Sequence, residues 1–161
     1  MLKMKEAATE FLGHHRIAVT GVSRNAKGGH GSNIVYRRLK ERGYEVFPVN
    51  PNATEVAGGD TSYPNLGAIP GGVEAVVIGT HPKHAEATVR ECVELGIDTV
   101  WMHGSVGGGS VSPEAARYGR EHGIRVLDGG CPCMFDPAAD GGHKVMRWML
   151  TLTGKVPRQV S

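Results

Sequence analysis

Apolar positions in this chain fall into short continuous runs, separated by longer segments in which they recur every three or four residues. The runs are Arg16-Ile17-Ala18-Val19-Thr20, Glu45 to Val49, Ala75-Val76-Val77-Ile78, Thr99-Val100-Trp101-Met102 and Arg125-Val126-Leu127. Each reads as a strand. The third is apolar without alternation, as expected of a strand covered on both faces of a parallel sheet. The periodic segments predict helices over Lys3–Leu12, stopped by Gly13, and over Ser32–Arg42, ended by Gly43. Ile34, Val35 and Leu39 fall near one face of the second. Lys83–Leu95 is a third helix, closed by Gly96. Another starts at Ser112-Pro113-Glu114, where Ser can cap and Pro suits the first helical position, and ends at Gly123. A last helix covers roughly His143 to Thr153. The stretch from Ala53 to Gly72 is less regular. Strands and helices alternate at the spacing of βαβ units. That predicts one α/β domain: a doubly wound parallel sheet of about five strands with helices on both faces. Such sheets bind ligands outside the carboxyl ends of their strands. The loops that matter begin at Gly21, Asn50, Gly79, His103 and Asp128.

Composition narrows the function without naming it. The 161 residues suffice for one domain with a real core, and 40% are hydrophobic. A net charge of +2 with no dense Lys/Arg block argues against a nucleic-acid partner. No apolar stretch reaches membrane-spanning length, and the N-terminus lacks a signal-peptide core, so no membrane is expected. Three cysteines without an export signal favour reduced thiols in the cytoplasm. The 24 glycines cluster in loops rather than repeating.

One of these clusters follows the first strand. Gly21-Val22-Ser23-Arg24-Asn25 leads into the helix from Ser32, whose N-terminus offers unpaired N–H groups to an anion. Gly21 allows close backbone approach to a phosphate. Ser23 can donate a hydroxyl hydrogen bond, Arg24 can clamp phosphate oxygens with its planar fork, and Lys27 adds charge. Gly28, Gly29 and Gly31 keep the rest of the loop free of bulk. The plainer reading is a strand-to-helix connection in which Gly21 only makes the turn. The dinucleotide fingerprint G-x-G-x-x-G is absent, because Ile34 stands where Gly29-His30-Gly31 would need its third glycine. The phosphate loop G-x-x-x-x-G-K-[ST] is absent too. At the end of the second strand an NAD site carries Asp or Glu for the ribose; here stand Asn50 and Pro51, whose ring can pack against adenine.

Several pieces together resemble the small coenzyme A-binding domain proteins, stand-alone relatives of the N-terminal domain of the succinyl-CoA synthetase α-subunit. They are Ile17 to Asn25, Gly43 to Pro51, Ser62-Tyr63-Pro64-Asn65-Leu66 with Ile69-Pro70, Val100-Trp101 with Gly104, and Cys131-Pro132. Their order covers roughly residues 10–140. The resemblance implies a Rossmann-like fold and bound coenzyme A or acyl-CoA, with NAD(P) less favoured. A carboxylate at Asn50 would repel the 3′-phosphate of that ligand. It also implies phosphates on the first loop, adenosine by Asn50-Pro51, and a pantetheine or diphosphate path along Thr80 and Pro82. The sequence departs from the common short form after Cys131, where it reads Cys-Pro-Cys-Met-Phe-Asp-Pro. The synthetase's phosphoryl-carrying histidine lies in a following domain, so that role is not carried over.

Other residues are read plainly. His14-His15, His81, His84 and His103 suggest no metal site: H-E-x-x-H is missing, and Cys131-x-Cys133 has no partner pair at zinc spacing. The two cysteines read as small, semi-buried loop residues rather than thiols poised for a mixed disulfide. Trp101 and Trp148 are expected in the core. The expected function is non-catalytic binding of coenzyme A, compatible with a homo-oligomer. Two alternatives stay open. One is an NAD(P)-binding or acyl-CoA-processing enzyme using Cys131, His81 or His103. The other is a redox or metabolite sensor acting through a protein partner.

Overall fold

The computed structural model describes residues 2–25, 31–105 and 108–160. Five parallel strands form one sheet: β1 (Arg16–Thr20), β2 (Glu45–Val49), β3 (Ala75–Ile78), β4 (Thr99–Met102) and β5 (Arg125–Asp128), in the order β2-β1-β3-β4-β5. Helices α1 (Met4–Leu12), α2 (Ser32–Glu41), α3 (Ala85–Leu95), α4 (Pro113–Glu121) and α5 (Gly141–Leu152) cover it. Strand pleating sends alternate residues to opposite faces. Ile17, Val19, Ala75, Val77, Trp101 and Leu127 pack with α1, α2 and Leu150 of α5. Ala18, Val76, Ile78, Val100, Met102 and Val126 pack with α3 and α4. Every β3 residue is buried, as its unbroken apolar run implied.

Local chemistry sets the helix ends. Ser112 Oγ accepts from the Ala115 N–H at 3.2 Å and starts α4 at Pro113. Asp140 Oδ1 accepts from the His143 N–H at 2.8 Å, so α5 begins at Gly141, two residues before the expected start. Pro82–His84 form a 3₁₀ turn before α3 rather than its first turn. Two-residue strands carry no readable period, and two pairs escaped the sequence: Leu2–Lys3 with Gln159–Val160, and Gly104–Ser105 with Gly108–Gly109.

Two core expectations need correction. Ile34 is 43% exposed, while Tyr36 is buried with Val35 and Leu39. At 3.6 residues per turn, Ile34 lies about 140° around the helix from Leu39 and Tyr36 only about 60°. Trp101 is fully buried, edge-on to Phe11 at 5.2 Å. Trp148 is not in the core: it is 66% exposed, on the side of α5 away from Leu150. No described helix is long and apolar enough to cross a membrane.

Candidate functional site

The chain runs from β1 to β2 in one direction and from β2 to β3 in the other, so the connections diverge between β1 and β3. A sheet of this order opens its ligand crevice there, at the carboxyl ends. The two loop starts are locked together. The Gly79 N–H donates to Thr20 Oγ1 at 3.1 Å, and Ser32 Oγ donates to the Gly79 carbonyl at 3.0 Å. A Cβ on Gly79 would stand 2.0 Å from Ser32 Oγ. At Gly21, where φ is +79°, a Cβ would stand 2.7 Å from the Gly79 carbonyl oxygen. Glycine at both positions lets two backbones meet where side chains would hold them apart.

The loop after β1 is folded onto itself. Asn33 Oδ1 accepts from the Ser23 N–H at 2.8 Å, and its Nδ2 donates to the Asn25 carbonyl at 3.0 Å. The Asn25 N–H donates to Ser23 Oγ at 3.0 Å. Asn50 Nδ2 reaches across from the end of β2 to the Val22 carbonyl at 2.9 Å, and Asn50 Oδ1 accepts from the Asn52 N–H. The Ala57 N–H donates to the Ser23 carbonyl at 3.1 Å. These bonds use the backbone donors of Ser23 and Asn25 internally. Among the described residues, the exposed Arg24 guanidinium, the Ser23 hydroxyl proton and the first-turn N–H groups of α2 are left to meet an anion. The α2 N-cap is Gly31, which has no side chain to cap them.

The structure thus joins Val22, Ser23, Asn25 and Asn50 by direct bonds, and brings Gly21 against Gly79, next to Thr80. Thr80 Oγ1 is buried, and no described residue offers it a hydrogen bond. Pro51 is exposed beyond β2, and Pro82 is half-buried beyond β3. Lys27, with Gly28 and Gly29, lies outside the described residues. Behind the loop sits a hollow of about 30 Å³ between Val22, Asn33, Tyr36, Arg37 and Ala57. The Tyr36 hydroxyl donates to Asp60 at 2.6 Å, and burial together with that carboxylate pushes its pKa up, so it stays a donor. A larger hollow of about 460 Å³ lies at the opposite end, around Gly13, Thr99 and Gly123. It adjoins the Arg125–Glu10 ion pair and the amino ends of the strands, where this architecture places no ligand.

A second cluster occupies the loop after β5. Cys131 and Cys133 are buried rather than semi-buried, at 4% and 0% exposure. Their sulfurs lie within 4.8 Å of each other. The neighbouring Cys131 thiol and the Arg38 charge hold Cys133 below the ordinary thiol range. The neighbouring Cys133, with burial, pushes Cys131 well above it. Arg38 pairs with Asp140 at 2.6 Å, and both Asp140 oxygens lie 2.9 Å from His143 Nδ1. His103, at the end of β4, is buried; desolvation and then the His143 charge lower its pKa to about 4. His81 is exposed and bonded locally, its Nδ1 accepting from the Lys83 N–H.

Sequence reasoning passed over the residues that hold the first loop: Thr20, Ser32 and Asn33. Small polar residues directly flanking the Gly-rich stretch were the available signal. It also passed over Arg38, Asp140 and His143, which lie on separate elements with no motif spacing between them.

A family model described as CoA binding domain matches residues 15–137. Acetate–CoA ligase (ADP-forming) II of Archaeoglobus fulgidus is 34% identical over 114 residues. The match covers 70% of this chain but only 16% of the ligase. Among solved structures, Prb, a protein redesigned for binding, is 28% identical, with a TM-score of 0.72 and coverage of 99% of this chain and 98% of its own. A hypothetical protein from Pyrococcus horikoshii OT3 is 32% identical, with a TM-score of 0.67 over 76% of this chain and 82% of its own. The dinucleotide-forming acetyl-coenzyme A synthetase 1 of Ca. Korarchaeum cryptofilum is 26% identical, with a TM-score of 0.57 over 73% of this chain and 26% of its own. The sheet is the Rossmann-like α/β arrangement these structures share.

Proposed function

We infer that this chain, which belongs to the CoA binding domain family, holds the phosphates of coenzyme A or an acyl derivative at the β1–β3 crevice and performs no chemistry on it. One convergence supports the reading: exposed Arg24, the uncapped N-terminus of α2 and a buried Thr80 hydroxyl with no partner among the described residues all follow β1 or β3, the strands that flank that crevice. An Arg fork and helix N-terminal amides suit a diphosphate. Asn33 and Asn50 hold residues 22–25 in place beforehand, so binding orders little of that backbone and loses little entropy there. At the end of β2 the ribose meets Pro51 and an amide occupied by the Val22 carbonyl, with no carboxylate to repel a 3′-phosphate. The groups an enzyme would call on are engaged elsewhere. Cys131 and His103 are buried, and His81 Nδ1 accepts from the Lys83 amide. A cytosolic location belongs to the same reading and rests on three free thiols.

Calorimetry with coenzyme A, dephospho-coenzyme A and NADH tests it. Coenzyme A binds, dephospho-coenzyme A binds more weakly, and Arg24→Ala weakens coenzyme A by ~1.5–3 kcal/mol, the loss of a charge-assisted contact. Heat with NADH and none with coenzyme A overturns the reading. Unchanged affinity in Arg24→Ala removes Arg24 from the site.

Self-association is supported by one further observation. Val145, Trp148, Met149 and Leu152 are 59%, 66%, 56% and 61% exposed. Their i, i+3, i+4, i+7 spacing makes one apolar stripe along α5. A second copy of the stripe is the surface that a symmetric dimer would bury.

A further inference from the structure

We propose that Cys131, Cys133 and His143 form a zinc(II) site, with three protein ligands and a fourth position left to an exogenous ligand. The donor atoms of the three residues all lie within 4.8 Å of one another. Tetrahedral zinc with bonds of about 2.0–2.3 Å to nitrogen and sulfur sets its ligand atoms roughly 3.4–3.8 Å apart. The cluster therefore closes on an ion with a shift of about 1.4 Å at most. The donors come from two elements: both cysteines from the loop after β5, and the histidine from the first turn of α5.

The surroundings are those of a ligand set rather than of inert core. Asp140 faces His143 Nδ1 with both oxygens, which places the ring proton there and leaves the lone pair on Nε2. Asp140 is itself fixed by Arg38 at 2.6 Å. A carboxylate that orients a histidine in this way is the usual support of a zinc-bound imidazole. Two sulfurs and an imidazole suit a borderline-soft ion such as zinc, not magnesium or calcium, which take oxygen ligands. Binding converts both thiols to thiolates, and their two protons pass to solvent. The geometry owes nothing to the β1–β3 crevice, so the proposal stands apart from coenzyme A binding.

The test uses the full chain, reduced and stripped with a chelator, then titrated with zinc(II) against a chromophoric competitor. One ion per chain is expected, and cobalt(II) in its place should give thiolate-to-cobalt charge-transfer bands with tetrahedral d–d intensity. His143→Ala, at a half-exposed position, and Cys133→Ser should each abolish stoichiometric uptake. Asp140→Asn should weaken uptake about 10–100-fold. His84→Ala, an exposed histidine outside the cluster, should leave it unchanged. Circular dichroism and urea denaturation of His143→Ala check that the fold persists. No stoichiometric uptake by the reduced chain overturns the proposal. Uptake that survives Cys131→Ser/Cys133→Ser, or a cobalt spectrum without thiolate bands, overturns it equally.

Discussion

His103→Gln removes a buried group whose proton affinity the fold has changed. The His103 ring is 6% exposed, and it lies against Gly31, where a Cβ would stand 2.4 Å from its Cε1. Desolvation first, and the His143 charge second, lower its pKa from 6.5 to about 4. Between those values the unfolded chain binds a proton that the folded chain refuses, so stability rises with pH. The contribution is complete above 6.5 and drains away as the pH falls towards 4. From about pH 7.5 to pH 5.0, a shift of this size removes about 2 kcal/mol of unfolding free energy. Urea denaturation at both values, in chelator and reductant, measures the loss in wild type and in His103→Gln. Wild type should lose about 2 kcal/mol more than the variant over that interval. The difference between the two proteins isolates the His103 ring together with its coupling to His143. Equal losses in the two proteins would refute the argument and mean that the His103 ring is hydrated or paired in the folded state.

Gly79→Ala drives a methyl to within 2.0 Å of Ser32 Oγ and breaks the lock between β1 and β3. It should destabilise the chain by ~1–3 kcal/mol in urea, with coenzyme A affinity falling alongside. Thr80→Val removes a buried hydroxyl that has no described partner. Apo stability should hold or rise by up to about 1 kcal/mol while coenzyme A binds more weakly by calorimetry. Lost stability with unchanged affinity would show the hydroxyl to be structural. Trp148→Glu places a charge in the exposed α5 stripe, and sedimentation should show the proposed dimer shifting to monomer with unchanged coenzyme A binding.

Both the fold and the position of the first loop were legible in the sequence because they depend on local regularities. Five apolar runs and the helices between them come from backbone periodicity, and each run became a strand. Gly21 was legible because a turn between strand and helix requires it. The inner construction of the loop was not. Ser23 was read through its hydroxyl, and only the structure shows that its N–H and that of Asn25 are taken within the loop by Asn33 Oδ1 and Ser23 Oγ. Asn50 looked like a ribose neighbour, and its amide supports the Val22 carbonyl. Hydrogen-bond partners depend on direction and distance, which spacing along a chain does not encode.

Trp148 shows the same limit for packing. Its residue type argued for the core, and the rotation of α5 about Leu150 put it in solvent instead. Cys131 and Cys133 were read as lacking zinc-spaced partners, and by position along the chain they lack them. Folding α5 back over the loop after β5 brought His143 to them, with Arg38 of α2 fixing Asp140 behind the ring. The sequence by itself determined the five long strands, the helices between them and the parallel sheet, since these follow from periodicity and chain connection. Only the tertiary structure decided which polar groups are spent on holding loops and which remain for a ligand. That division is set by contacts between residues far apart in sequence, such as Thr20 with Gly79 and Arg38 with Asp140.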